Sequence, residues 1–236
     1  MIAVLLAARL LLLAATPAAA PAGSPVPVAD KEATAVAGKV QKVYEGVKEL
    51  SADFEQETIL RQGGKVTGAT SGKVWIAKPG KMRWEYLKPE VKTIVSDGKT
   101  LWMYDGEENQ VVINEHMDES ESFTALNFLG GLGQLTKSFD VKRIAAPARA
   151  KSSEDEFLAL TPKPGEDLQV AEIDLGIAKK TNLADEVFLV DQLGNQTHLV
   201  FHELKTNAAA PAKTFTFDIP KNAEVVKPTV LKPAGK

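Results

Sequence analysis

The chain contains no cysteine among its 236 residues. That excludes disulfide staples, thiolate zinc sites, a cysteine nucleophile and a lipid-carrying N-terminal cysteine. Charge of one sign is also lacking: 28 basic residues face 31 acidic ones, formal charge −3, with no basic block. Phosphate backbones need clustered Lys and Arg, so nucleic acid is not an expected partner. Aromatic residues make up only 6%. What is abundant is apolar residues, 44%, enough for one large domain or two small ones held by a hydrophobic core.

The longest apolar run is the first. Met1 to Ala20 carries a single charge, Arg9, and Leu10–Ala15 is uninterrupted apolar sequence, too short to span a bilayer. It reads as a signal peptide, residues 1–22, cut after Ala20-Pro21-Ala22 and before Gly23; its first eight residues lack the usual cation. Loss of Arg9 leaves 27 basic against 31 acidic residues, so the expected mature protein is exported, soluble and at −4. Gly23 to Asp30 reads as a flexible lead, with Asp30 placed to cap a helix. Val36, Val40, Val43, Tyr44, Val47 and Leu50 recur at helical spacing, which predicts one amphipathic helix over 31–50.

At Ser51 the period changes to two, with Ala52, Phe54 and Gln56 alternating against Asp53, Glu55 and Glu57. Strands are then expected at 67–77, 82–87, 93–96, 100–104, 110–114, 139–143, 157–161, 168–175, 183–190, 195–204 and 214–218. Asp97-Gly98 and Gly194 mark tight turns. The pattern is mainly β (α+β), an antiparallel meander of about eleven strands. Phe123, Leu126, Phe128 and Leu129, after the acidic run Asp118–Glu121 and before Gly130-Gly131, read as a short helix in mid-meander; Pro147 to Glu156 reads as an exposed loop. The domain is placed at 31–220, with a weakly attached tail over 221–236.

Most candidate chemistry fails on geometry. His198 and His202 stand four apart beside Glu203, but on a strand, at ~3.3 Å per residue, the rings lie roughly 13 Å apart, so both are expected on the sheet surface rather than around a metal. Gly98-Lys99-Thr100 resembles the end of a phosphate loop, yet Thr93 stands where that pattern needs glycine, and a strand follows. No G-x-S-x-G elbow is present, and His116 has no Ser or Asp arrangement around it. The acidic run lacks a calcium-loop pattern. No catalytic residue, metal or cofactor is expected. What remains is an apolar stripe, Met82, Trp84 and Tyr86 on one strand face with Trp75 and Trp102 on neighbouring strands. It reads either as ordinary core or as the wall of an apolar pocket with a lid.

Several segments, taken in order, resemble the periplasmic outer-membrane lipoprotein carrier family, LolA. They are Leu50-Ser51-Ala52-Asp53-Phe54-Glu55-Gln56; the run from Ser71 through Trp75, Lys78-Pro79-Gly80-Lys81 and Met82 to Trp84-Glu85-Tyr86; and Ile94 to Asp105. Later marks are Leu160-Thr161-Pro162-Lys163, Asp191-x-x-Gly194-Asn195-Gln196-Thr197, Phe201 with Asn207, and Phe215-x-Phe217-x-x-Pro220. The match covers roughly residues 36 to 226. The resemblance implies an incomplete antiparallel β-barrel whose concave face, covered by an N-terminal helix and a short lid helix, holds the acyl chains of lipoproteins crossing the periplasm. It also implies a non-enzymatic monomer loaded by an inner-membrane ATP-binding transporter and relieved by an outer-membrane receptor. A paralogue carrying other envelope lipids or serving one dedicated partner is the alternative. On this basis the wall is assigned to Phe54, Val74, Ile76, Met82, Trp84 and Tyr86, and the lid to Phe123, Leu126, Phe128 and Leu129. Lys78, where the family usually has arginine, becomes the latch, with one donor group in place of a rigid fork. Replacing Trp84 by Ala is expected to weaken cargo binding more than stability.

Overall fold

A computed structural model describes residues 30–62, 66, 68–89, 91–115, 135–152, 154–166 and 170–227. The expected signal peptide, most of the expected lead, the four lid candidates, His116 and the acidic run Asp118–Glu121 lie outside these residues.

Helix α1 (Lys31–Glu45) begins at Asp30, whose carboxylate accepts the amides of Glu32 and Ala33 at 3.0 and 3.1 Å. Its stripe of Ala33, Val36, Ala37, Val40 and Tyr44 is buried. The helix stops at Glu45, five residues short of the periodicity's end. The next residues enter strand β1 (Glu49–Ile59), and Gly46 caps the helix. A strand paired on both sides outweighs continuation of a helical stripe by Val47 and Leu50.

Five strands follow: β2 (Thr70–Ala77), β3 (Lys81–Lys88), β4 (Lys92–Asp97), β5 (Leu101–Asp105) and β6 (Gln110–Asn114). After a one-turn helix α2 (Leu135–Ser138) come β7 (Phe139–Ile144), β8 (Glu156–Pro162), β9 (Val170–Ile177), β10 (Ala184–Asp191), β11 (Gln196–Thr206) and β12 (Glu224–Val226). They form one twelve-stranded sheet in the order β12-β6-β5-β4-β3-β2-β1-β11-β10-β9-β8-β7. Among the described residues every strand pairing is antiparallel except β12 with β6. The sheet is open, since β12 and β7 end it without pairing to each other.

Two expectations near the C-terminus are corrected. The segment 214–218 is not a strand, although Phe215 and Phe217 alternate. Successive turns close from Thr214 to Pro211 and from Thr216 to Lys213, and Lys213 has φ +67°. The carbonyls of Thr214 and Thr216 accept from the Arg83 guanidinium at 3.3 Å instead of from a ladder. Residues 221–227 are not a loose tail, because the Asn109 carbonyl accepts the Glu224 amide at 2.9 Å and β12 then pairs along β6.

α1 lies on one face of the sheet, where Phe54, Trp84, Leu175, Leu160 and Leu199 join one buried cluster with Val36, Val40 and Tyr44. Strands β4–β6 bury the opposite, outer face: Val95, Val111 and Ile113 are buried there, and Phe217 lies 6.4 Å from Trp102 and 6.2 Å from Tyr104 between ring centres.

The outer face also corrects one histidine. His202 is exposed, as expected, but His198 is buried: its ring stacks on Phe188 at 4.1 Å, and Nε2 lies 2.6 Å from Glu186 Oε1. The amide of Lys151 donates to the same carboxylate at 2.8 Å, so the 147–156 loop, read as simply exposed, seals the pair. Period-two parity cannot see a loop folding back over its face. No group of three His, Asp or Glu able to hold a metal occurs among the described residues.

Near this loop Asp185 is pushed up to about 7 by burial and then by the charge of Asp155, and Asp174 to about 6 by burial and the charge of Glu172. Unfolded aspartate titrates at ~3.9. The folded chain therefore holds more protons between the two values, so stability present at pH 5 is lost as pH rises through 6 to 7. Thermal unfolding followed from pH 5 to 8 is expected to give a falling midpoint. Asp185→Asn should raise the midpoint at pH 8 and flatten the slope.

Candidate functional site

Antiparallel register decides which side chains share a face. Ala52, Val74, Trp84, Ile94 and Met103 form one row across β1 to β5, and Leu50, Ile76, Met82, Ser96 and Leu101 the next. Phe54, Gly72 and Tyr86 form a third. All six wall candidates thus stand on the side that α1 covers. The Phe54 ring meets Trp84 edge-on at 4.9 Å and Tyr86 at 5.1 Å, geometries aromatic pairs favour. Gly72 makes this possible: a Cβ there would come within 1.9 Å of the Glu85 carbonyl and 2.8 Å of the Phe54 ring. Phe201, opposite Phe54 on β11 and 6.2 Å from Trp84, completes the cluster. Sequence alone marked it only through the resemblance, because its contacts cross from the second meander.

The wall candidates are packed rather than open. Phe54, Val74, Ile76, Met82 and Trp84 are all buried, while half-buried Tyr86 donates its hydroxyl to Gln56 Oε1 at 3.1 Å and is pushed up to about 12 by burial. This changes the expectation for Trp84→Ala: truncating a fully buried tryptophan costs about 3–5 kcal/mol of stability. The accessible apolar surface on this face belongs to the neighbouring strands, where Ile94, Leu101 and Val112 are half-buried and Met103 is 38% exposed. Two clefts, of about 430 and 470 Å³, lie instead against residues 211–216; one borders Trp75 and Arg83, the other Lys78, Lys81 and Asp97.

Lys78 stands at the β2–β3 end of this face. Its ammonium donates to the Tyr44 carbonyl at 2.7 Å, and its amide to the Lys48 carbonyl at 2.9 Å. The bonded helix is α1. Burial draws the Lys78 pKa below the ordinary lysine value, with Glu45 opposing. A cation at the last turn of a helix also complements its dipole. Asn207, in a left-handed conformation, holds the same connection from the other side: Nδ2 donates to the Gly46 carbonyl at 3.0 Å and Oδ1 accepts the Lys48 amide at 2.8 Å. The exit of α1 is therefore clamped between β2 and β11. At its start, the Asp30 carboxylate accepts the Arg143 amide of β7 at 3.2 Å. Midway, Gln41 Oε1 accepts the Thr136 amide of α2 at 2.9 Å.

Lys78→Met is expected to cost about 1 kcal/mol and to speed hydrogen exchange of the last α1 amides, leaving the Asn207 side of the clamp intact. Gly72→Ala, whose methyl meets backbone, should lower the unfolding midpoint more than Lys78→Met does.

Comparison with known proteins places this geometry in a family. Residues 45–218 match the family described as outer membrane lipoprotein carrier protein LolA. An outer-membrane lipoprotein carrier protein of Chromobacterium violaceum is 37% identical over 211 residues, 89% of this chain and 95% of that protein. One from Cupriavidus pinatubonensis is 36% identical over 195 residues, 82% of this chain and 88% of its own length. Among solved structures, an uncharacterized conserved protein of Thermus thermophilus shares the fold at TM-score 0.51 and 19% identity, covering 84% of this chain and 100% of that one. A clamped helix over the apolar face of an open antiparallel sheet, on a chain matched along most of its length, identifies a member of the LolA family of outer-membrane lipoprotein carriers.

Proposed function

We propose that the mature chain is a non-enzymatic periplasmic carrier that shelters the acyl chains of lipoproteins between the inner and outer membranes. The observation that carries this reading is the apolar face of Phe54, Val74, Ile76, Met82 and Trp84 under an amphipathic helix pinned at its ends and middle by single polar contacts, in a chain of the LolA family.

The physical task is to keep hydrocarbon out of water. Exposure costs ~0.8 kcal/mol per methylene, so a sixteen-carbon chain costs about 12 kcal/mol, and several chains would pass the ceiling of non-covalent affinity if all of it became binding. A carrier must therefore offset part of the gain. In this reading α1 does so by resting on the same side chains the cargo needs: loading strips its contacts and breaks the Lys78 bond to Tyr44, and delivery restores both. The half-buried strip of Ile94, Leu101, Met103 and Val112 offers the first apolar landing beside that face. The lid role stays assigned to residues 123, 126, 128 and 129, which lie outside the described residues, and the latch role to Lys78. An inner-membrane ATP-binding transporter supplies the work of extraction, and an outer-membrane receptor with a more apolar site takes the cargo.

Purified residues 23–236 added to spheroplasts should draw acylated lipoproteins into the soluble fraction, bound to the protein, in an ATP-dependent manner read by mass spectrometry. No release from competent spheroplasts by folded protein would overturn the carrier reading. A benzophenone side chain at Met103 should crosslink to the acyl chains of such cargo, and one at Lys73 on the outer face should not.

A further inference from the structure

Trp84 is fully buried, yet its indole Nε1 has no hydrogen-bond partner among the described residues. Buried polar groups are nearly always paired, and an exception calls for an explanation. An indole nitrogen only donates, so what it lacks is an acceptor. Its row, Ala52, Val74, Ile94 and Met103, supplies no side-chain oxygen or nitrogen, only the weakly accepting Met103 thioether. In the adjoining rows the Tyr86 hydroxyl is turned to Gln56 Oε1, and Ser96 Oγ both donates to the Gly80 carbonyl and accepts the Gly98 amide. Phenylalanine at this position would fill an aromatic cluster without the penalty. The unpaired donor faces the same apolar packing assigned to cargo.

We propose that Trp84 is a specificity-determining residue whose indole N–H donates to the ester carbonyl oxygen of a bound acyl chain, so that the carrier prefers O-acyl chains to equally long hydrocarbon. The inference rests on the carrier reading above and names the polar group that site recognises. The depth is suitable. Trp84 lies three residues into β3 from Lys81, about 10 Å at ~3.3 Å per residue from the end where Lys78 sits. The seven or eight bonds from an ester carbonyl through a glyceryl thioether to a cysteine Cα span about 10 Å at ~1.5 Å per bond, shortened by their zigzag. A carbonyl at Trp84 therefore leaves the cysteine at the rim, with Ile94 and Met103 in the same row as the indole. In the empty protein the orphan donor costs stability, and cargo relieves that cost.

The test is a cycle between protein donor and ligand acceptor. Two lipopeptides are compared on the full mature chain by equilibrium dialysis: a dipalmitoyl S-glyceryl cysteine peptide with ester links, and its dihexadecyl ether counterpart lacking both carbonyls. Wild type is expected to bind the ester about tenfold tighter, the equivalent of about 1.4 kcal/mol. Trp84→Phe should bring the ratio to near one. Because Phe also leaves space, a second variant carries benzothienylalanine at position 84, which keeps the ring size and removes only the N–H; it should lose the ester preference and unfold at a higher temperature when empty. An ester preference unchanged in the benzothienylalanine variant, or absent from wild type that binds both ligands, overturns the role of Trp84 and leaves the carrier reading standing. Binding of neither ligand to wild type overturns both.

Discussion

Pairing of β1 with β2 along one edge and β11 along the other sets the geometry of everything else. The first meander, β1 to β6, and the second, β7 to β11, are joined in the sheet through it, so its register decides which residues of two distant stretches share a face. Because Phe54 lies opposite Gly72 on one side and Phe201 on the other, the aromatic cluster draws on both meanders. A slip of one residue in β1 would turn Ala52, Phe54 and Gln56 outward and Asp53, Glu55 and Glu57 inward, burying charge under α1. The alternation of β1 makes that slip prohibitive.

An open sheet has two faces, and which of them is covered changes along this one; at β10 and β11 the outer side is closed as well, over Glu186 and His198. Around β1, β2, β3 and the second meander the helix side is dry. Across β4 to β6 the outer side is dry beside Phe217, and the helix side is half-open. Apolar surface therefore grades from closed core at Trp84 to accessible strip at Met103 along one row of paired residues. The cover over the closed part packs its apolar stripe on that core and is pinned by single polar bonds at its two ends and middle. Such bonds add modestly in net terms while remaining cheap to exchange with water, unlike apolar contacts, whose loss scales with area. Under the proposed carrier function, hydrocarbon that takes over the stripe's apolar contacts leaves only these bonds to break.

The bonds that hold the cover come from residues easily overlooked. Asn207 and Gln41 carry no charge, and neither belongs to a pattern that signals chemistry, yet Asn207 joins the end of β11 to the turn after α1, 161 positions away from Gly46. Lys78 was legible as a latch through the family resemblance, but its acceptor was not, because which helix passes over the β2–β3 end depends on packing. His198 gives the same lesson: parity put it on the outer face, and only the returning 147–156 loop buried it against Glu186.

The sequence by itself determined the alternation of the strands, the turns at Asp97-Gly98 and Gly194, the capped start of α1, and the sharing of one face by Met82, Trp84 and Tyr86. These are properties of neighbours in the chain, governed by backbone period, glycine conformation and side-chain capping. Tertiary structure alone decided that α1 ends at Glu45, that 214–218 is a strap held by Arg83, that 224–226 is a strand, and that the six wall residues lie packed beneath a helix with one indole donor unpaired. Each of these turns on a competition for hydrogen bonds or burial between segments far apart in the chain, and local pattern carries no record of the partner that wins.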